Sequence, residues 1–375
     1  MSNFLINKKS SLILGSLGTI LISVPGVAAE FRSIDGTNNN LSDQNFGAAN
    51  TQLIRLALPA YDNGLSEPRG GGDPNNSSLP SARLVSNEIS AQSTSITNSL
   101  NASNWIWQWG QFLDHDLDLT PVNTTSPESF NIRVPTGDPF FDPNSTGNQE
   151  IALERSVFDP NSSPRQQINE ITAFIDASNI YGSNTTRANQ LRGSNGTLQM
   201  GLAQNGETLL TKDINGNFIS GDTRANEQIA LTATHSLFSR EHNRLAGLIK
   251  QRLDDGEIDL VTEFINSGLT EDNFIYEATR KVVGAQMQKI TYEEYLPVLL
   301  GENALSTFTG YDENIDPSIS NEFSTAAFRV GHTQLSSTLL RLDNDGTVAA
   351  EGNIALRDAF NNPDELDQFG ADALL

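Results

Sequence analysis

The ten residues WGQFLDHDLD, 109 to 118, hold three aspartates and one of only four histidines, directly behind the run Trp105, Ile106, Trp107. Read as a helix, Trp105, Ile106, Trp107, Trp109, Phe112, Leu113 and Leu117 point around most of its circumference, so it should be buried on nearly all sides. Gln111, Asp114, His115 and Asp118 fall at i, i+3, i+4 and i+7, which is one face. A polar stripe on a buried helix is costly without partners, so something polar or charged should lie against it. The plainer reading leaves Gln111 and His115 to neighbouring backbone groups and lets the aspartates reach solvent at the helix end.

Three further clusters could do chemistry. In TAFIDASNIYG, residues 172 to 182, the even spacing of Thr172, Asp176 and Ser178 puts their oxygens on one side of an extended loop. The carbonyl of Phe174 can join them, and Asp116 can add a second carboxylate. Oxygen-only ligands suit Ca²⁺, which takes about 6 to 8, although Asx and Ser turns have the same composition. In GDTRANEQIALTATHSLFSREHNRLA, residues 221 to 246, Gly221, Asp222 and Thr223 mark a helix start. Arg224 and Glu227 stand three apart at its mouth, as a surface ion pair would. His235 and His242 lie seven apart with no third ligand nearby and read as packed structural histidines. In AFRVGHTQLSSTLL, residues 327 to 340, the residues Phe328, His332, Leu335 and Leu339 make one helical stripe. Gly331 clears space there for a flat ligand beside His332.

These clusters need elements to position them. Apolar spacing predicts helices over 97–118, 226–253, 271–300 and 323–341. One hairpin is expected over 208–220, centred on Asn215-Gly216. Residues 30–95, rich in Asn, Gly, Ser and Pro, read as an irregular lead-in. With 375 residues, 37% apolar composition and 18 phenylalanines, a single large, mainly α domain over 96–375 is the economical reading. The formal charge of −23 argues against nucleic acid and anionic membranes as partners. No cysteine is present, so compartment rests on the N-terminus. Lys8 and Lys9, the run LILGSLGTILISVPG and the small residues Val27 to Ala29 read as a cleavable secretory signal over 1–29, which places the mature chain outside the cell or in a periplasm.

Together the segments WGQFLDHDLDLTP, TAFIDASNIYGS, GDTRANE, SREHNRLA and AFRVGHT resemble the animal-type haem peroxidase superfamily, the group of myeloperoxidase, peroxidasin and bacterial relatives. The resemblance begins at FRSIDGTNNNL and covers most of the chain. It implies a helical domain with haem, as haem b or ester-linked, between distal and proximal helices, and reduction of hydrogen peroxide at the expense of small organic donors or halide and pseudohalide ions. His332 resembles the proximal iron ligand and His115 the distal base. Arg224 resembles the distal arginine, Gln111 the glutamine that helps receive a small anion, and Arg329 a residue near a haem propionate. Asp114 and Glu227 match the carboxylates that can form haem esters. Gln228 stands where some members carry methionine, which excludes a sulfonium bond. Asp116, Thr172, Phe174, Asp176 and Ser178 match a calcium site. Only 43 residues follow His332, and the expected asparagine partner of that imidazole is not among them in its usual motif. The expectation is therefore a C-terminally shortened domain that holds haem weakly unless a complementing fragment is supplied. Two other classes share these features: a noncatalytic secreted calcium-binding pseudoperoxidase or adhesion module, and a haem fatty-acid dioxygenase, for which AFRVGH offers no tyrosine.

Overall fold

The structure is a computed structural model that describes residues 31–69 and 79–375. The export signal expected over 1–29 lies outside the described residues. Four helices carry the architecture: α1 (Trp105–Leu117), α2 (Ile229–Asp254), α3 (Ile258–Ser267) and α4 (Glu271–Ile290). Among the described residues the strands form only two-stranded antiparallel pairs, such as Thr51–Gln52 with Ile168–Asn169 and Met200–Leu202 with Thr208–Leu210.

α1 runs through the molecule rather than over it. Phe112 is fully buried, and Trp109, Leu113 and Leu117 join it in one apolar cluster with Leu231, Phe238 and Leu245 of α2 and Tyr276, Val283 and Met287 of α4. Phe112 stacks on Phe238 with ring centroids 5.1 Å apart. Gly110 lets the Tyr295 side chain approach α1, because a Cβ there would stand 2.9 Å from the Tyr295 hydroxyl. Backbone at Asp118, φ −148° and ψ 146°, ends the helix, ahead of Thr120-Pro121.

The start of α2 is set by Gln228, whose side chain accepts from the Ala230 N–H. Just before it, Gly221 packs against the 178–182 turn so closely that a Cβ would sit 2.4 Å from the Ser178 carbonyl oxygen and the Gly182 nitrogen. That close approach brings the GDTRANE segment against the DASNIYG segment. Ala177 takes a left-handed conformation, φ 67°, while fully buried, a strained geometry for an alanine that the surrounding hydrogen bonds must hold. The loop is thus not extended throughout: Ser178–Tyr181 forms a helical turn.

The helix expected over 323–341 is corrected by the structure. A short α-helix, Asn321–Thr325, is followed by a 3-10 helix, Ala327–Gln334, with a break at Ala326, φ −132° and ψ −62°. Thr338–Leu339 then pairs as strand with Ile354–Ala355. At three residues per turn, positions i, i+4 and i+7 no longer share a face, so the stripe dissolves: His332 is exposed, while Leu339 is buried in a different apolar cluster. Only Thr338 of SSTLL is β-branched, so the strand is set by its pairing with Ile354–Ala355 rather than by local preference. The 271–300 helix holds as α4 and continues through a π-helical turn, Thr291–Tyr295, into Leu296–Leu300. In the expected hairpin Gly216 makes the turn at φ +86° and Lys212 bridges Phe218, but the longer pairing is the one between 200–202 and 208–210.

Candidate functional site

One cavity of about 410 Å³ collects Gln111, Asp114, His115 and Asp118 from α1, Arg224 and Glu227 from the turn before α2, and Phe328, Arg329 and His332 from the 3-10 segment. Residues more than two hundred positions apart thus border one space of ligand size.

Burial decides the protonation of its walls. His115 is 3% exposed, and burial, reinforced by the Arg224 charge, holds its imidazole well below the usual histidine range. It is therefore neutral at neutral pH. Nδ1 lies 3.9 Å from Asp222 Oδ1 and has no hydrogen-bond partner. Nε2 lies 3.8 Å from Glu227 Oε2. Asp114 is pushed up to about 7, by burial first and then by the negative charge of Asp118. Its Oδ1 is buried without a partner, as is Oδ2 of Asp118. Burial also raises Glu227. The plain reading of the α1 stripe fails: its aspartates do not reach solvent, and His115 is not satisfied by backbone.

Arg224 is gripped by Asp222. Nε donates to Oδ1 at 3.0 Å and Nη2 to Oδ2 at 2.8 Å, and Nη2 also donates to the Asp118 carbonyl at 2.8 Å. Nη1 is left 3.8 Å from Asp114 Oδ2. Although burial pushes the Asp222 carboxyl up, the Arg224 charge and hydrogen bonds bring it below the usual range, so the pair is ionised. The surface pair of Arg224 with Glu227 is not formed; Glu227 Oε2 accepts instead from Gln111 Nε2 at 2.9 Å. Arg329 donates to the Ser324 carbonyl at 3.0 Å. The ring of His332 has no hydrogen-bond partner among the described residues.

A second polar cluster lies behind His115. Asp116, fully buried, accepts from the Asp176 and Ala177 N–H groups on Oδ2 and from Ser178 Oγ and the Asn179 N–H on Oδ1. Asp176 accepts from Thr172 Oγ1 at 3.0 Å. The Phe174 carbonyl accepts from the Asp176 N–H at 3.0 Å. Burial and then the Asp176 charge push Asp116 well above its usual range, and burial raises Asp176 as well. Two adjacent buried carboxylates with hydroxyl and carbonyl oxygens are a donor set that fits a hard cation. Among the described residues no group of three or more His, Cys, Asp or Glu side chains could hold a metal, so neutral oxygens would have to complete the shell.

His235 and His242 are fully buried and partnered, Nδ1 of the first with Ser220 Oγ at 2.9 Å and Nδ1 of the second with the Tyr181 hydroxyl at 2.8 Å. Three residues at the site carried no functional signal in the sequence. Asp222 looked only like a helix start, although its place two residues before Arg224 is compatible with the clamp. Gln228 in the sequence signals only the sulfonium bond it cannot form. Tyr295, which lines the cavity and is pushed up to about 12 by burial, sits in no motif that singled it out.

The animal haem peroxidase profile matches residues 31–375. Peroxidasin homolog pxn-1 of Caenorhabditis elegans is 36% identical over 400 residues, covering 92% of this chain and 30% of that protein. The chain thus spans less than a third of the length of this relative. Peroxidase A of Dictyostelium discoideum superposes with a TM-score of 0.76 at 30% identity, over 91% of this chain and 66% of that one. A fatty acid alpha-dioxygenase of Arabidopsis thaliana, TM-score 0.66 at 20% identity over 91% of this chain and 55% of that one, shares the fold. By sequence profile and by structure alike, the chain belongs to the animal haem peroxidase family.

Proposed function

We propose that this chain binds haem in the 410 Å³ cavity through His332 and reduces hydrogen peroxide there, oxidising small organic donors or halide and pseudohalide ions. The observation that carries the reading is His115: a buried, neutral imidazole bordering the same cavity as Arg224 and a second histidine. The residues fit the group. His332 offers a free imidazole, Arg329 a cation for a propionate, and Asp114 and Glu227 carboxylates at positions where ester links to the ring can form. Bound haem would supply the iron at which peroxide is reduced and the oxidising capacity passed to the donor.

The chain's own part is proton and charge handling. With its proton on Nδ1, toward Asp222, His115 presents Nε2 as an acceptor; it takes a proton from peroxide and returns it to the departing oxygen. Arg224, held in place by Asp222, keeps a positive charge beside the oxygen pair as charge develops, in surroundings that exclude most water. Gln111 offers an N–H to a small anion. Ca²⁺ held by Asp116, Thr172, Phe174, Asp176 and Ser178 would fix Asp116, and with it the orientation of its neighbour His115. Export belongs to the same reading, on the Lys8-Lys9 signal pattern over 1–29, with 30–95 as lead-in and 96–375 as the catalytic domain. Among the described residues no helix is long and apolar enough to cross a membrane.

The test is reconstitution. Titration with hemin should give a Soret band, and the loaded chain should oxidise a phenolic dye only when peroxide is added. A chain that stays colourless, or a His332→Ala variant with an unchanged visible spectrum, overturns the reading.

A further inference from the structure

Gln228 caps α2 with its side-chain oxygen, which accepts from the Ala230 N–H at 2.8 Å. That contact decides which end of the amide is which, since only oxygen can accept there. Its Nε2 must therefore point the other way, and both hydrogens are used: one goes to Gln108 Oε1 at 2.6 Å, the other to Gln111 Oε1 at 3.2 Å. Gln108 Nε2 donates in turn to Thr234 Oγ1 at 3.4 Å, and the threonine hydroxyl donates to the Ala230 carbonyl at 2.8 Å. The polarity thus begins and ends on the backbone of α2. Gln228 is 1% exposed, so solvent cannot substitute for a missing partner.

This leaves Gln111 one orientation. Its oxygen is filled by Gln228, and its Nε2 donates to Glu227 Oε2 at 2.9 Å. The second Nε2 hydrogen remains for the cavity that Gln111 lines. Turning the amide over would set oxygen against the Glu227 carboxylate and nitrogen against nitrogen at Gln228, losing two hydrogen bonds and making two like-pole contacts.

We propose that Gln228 is a positioning residue that locks Gln111 with its N–H pole toward the cavity, so that the site favours small ligands that accept a hydrogen bond, anions above all. It acts through Gln111, since Gln228 itself does not line the cavity. The proposal rests on reading this cavity as the reaction site and names the residue that sets its preference.

Two measurements decide it. In a chain labelled with ¹⁵N-glutamine, the Gln111 side-chain amide is identified by its loss in Gln111→Leu. Gln228→Thr keeps a capping hydroxyl but is too short to reach Gln111. With its oxygen released, the Gln111 amide can turn and leave Glu227, so exchange of its Nε2 hydrogens should quicken by about tenfold, the worth of that hydrogen bond; unchanged exchange overturns the positioning claim. Should the threonine variant melt early, Gln228→Asn, also a good cap, takes its place. In the hemin-loaded chain, bromide and thiocyanate followed by the visible spectrum should bind about tenfold more weakly to the same variant, and equal affinity overturns the preference. If the wild-type chain takes up no hemin, the functional reading fails while the exchange measurement still decides the role of Gln228.

Discussion

His115 stands between two carboxylates and is bonded to neither: Nδ1 is 3.9 Å from Asp222 and Nε2 is 3.8 Å from Glu227. Both gaps exceed a hydrogen bond, so neither ring nitrogen is tied to a carboxylate, while burial and the Arg224 charge keep the ring neutral. His115→Ala should slow peroxide consumption by the hemin-loaded chain by about 10² to 10⁴, the span of general acid–base catalysis. Stopped-flow spectra recorded against peroxide concentration give the rate, and a loss under tenfold would remove His115 from the reaction.

Asp222→Ala strips the clamp from Arg224 and leaves that guanidinium with one hydrogen bond, to the Asp118 carbonyl, and the more distant Asp114 carboxylate. Asp222 is 3% exposed, and breaking a buried pair from one side costs about 3 to 5 kcal/mol. Urea unfolding should show a loss near the lower figure. A change below about 1 kcal/mol would mean that solvent already screens the pair.

Asp116→Ala removes the acceptor of four hydrogen bonds inside the apolar interior. The Asp176 N–H keeps the Phe174 carbonyl and Ser178 Oγ the backbone carbonyl of residue 116, so the N–H groups of Ala177 and Asn179 are left unpaired at about 1 to 3 kcal/mol each before any relaxation, and this variant should melt well below the wild type. If a cation also sits there, added Ca²⁺ raises the melting temperature of the wild type and leaves the variant unmoved. Identical calcium responses in calorimetry would place the ion elsewhere.

Burial lowers His242 to about 4, below its value of about 6.5 in an unfolded chain. Between those pH values the unfolded chain binds the extra proton, so this contribution is complete above about 6.5 and is lost as pH falls toward 4. Asp114, raised to about 7, works in the opposite sense and loses its contribution as pH rises, so the wild-type slope alone is a mixture. Comparison with His242→Gln isolates the histidine. The variant's stability should fall less steeply with acid, by about 1.4 kcal/mol per pH unit in that window. Parallel slopes from denaturant melts at pH 4.5 to 6.5 would contradict the buried neutral ring.

How far the sequence reached depends on what each signal reports. The wide apolar face around Trp109, Phe112 and Leu113 announced α1, and the long unbroken spacing announced α2 and α4, because helices buried against one another must repeat near 3.6 residues. The polar stripe of α1 was legible for the same reason, as a departure from that pattern. The 323–341 segment misled because its spacing suits a helix while its stability comes from pairing of Thr338–Leu339 with a strand fifteen residues on, a tertiary choice that periodicity does not encode. Asp222 and Gln228 were opaque for another reason: each acts by holding a neighbour's polar group in one orientation, and a residue's type does not reveal whose hydrogen bond it completes.

Asp118 closes α1, yet its carbonyl receives Arg224 and its carboxylate receives the Ser324 hydroxyl at 2.8 Å. One residue therefore fastens Arg224 and the stretch leading to His332 to the same helix foot. Arg224 and Ser324 thus share one anchor through different atoms, so trimming the Asp118 side chain would release the segment before His332 while leaving the carbonyl that holds Arg224.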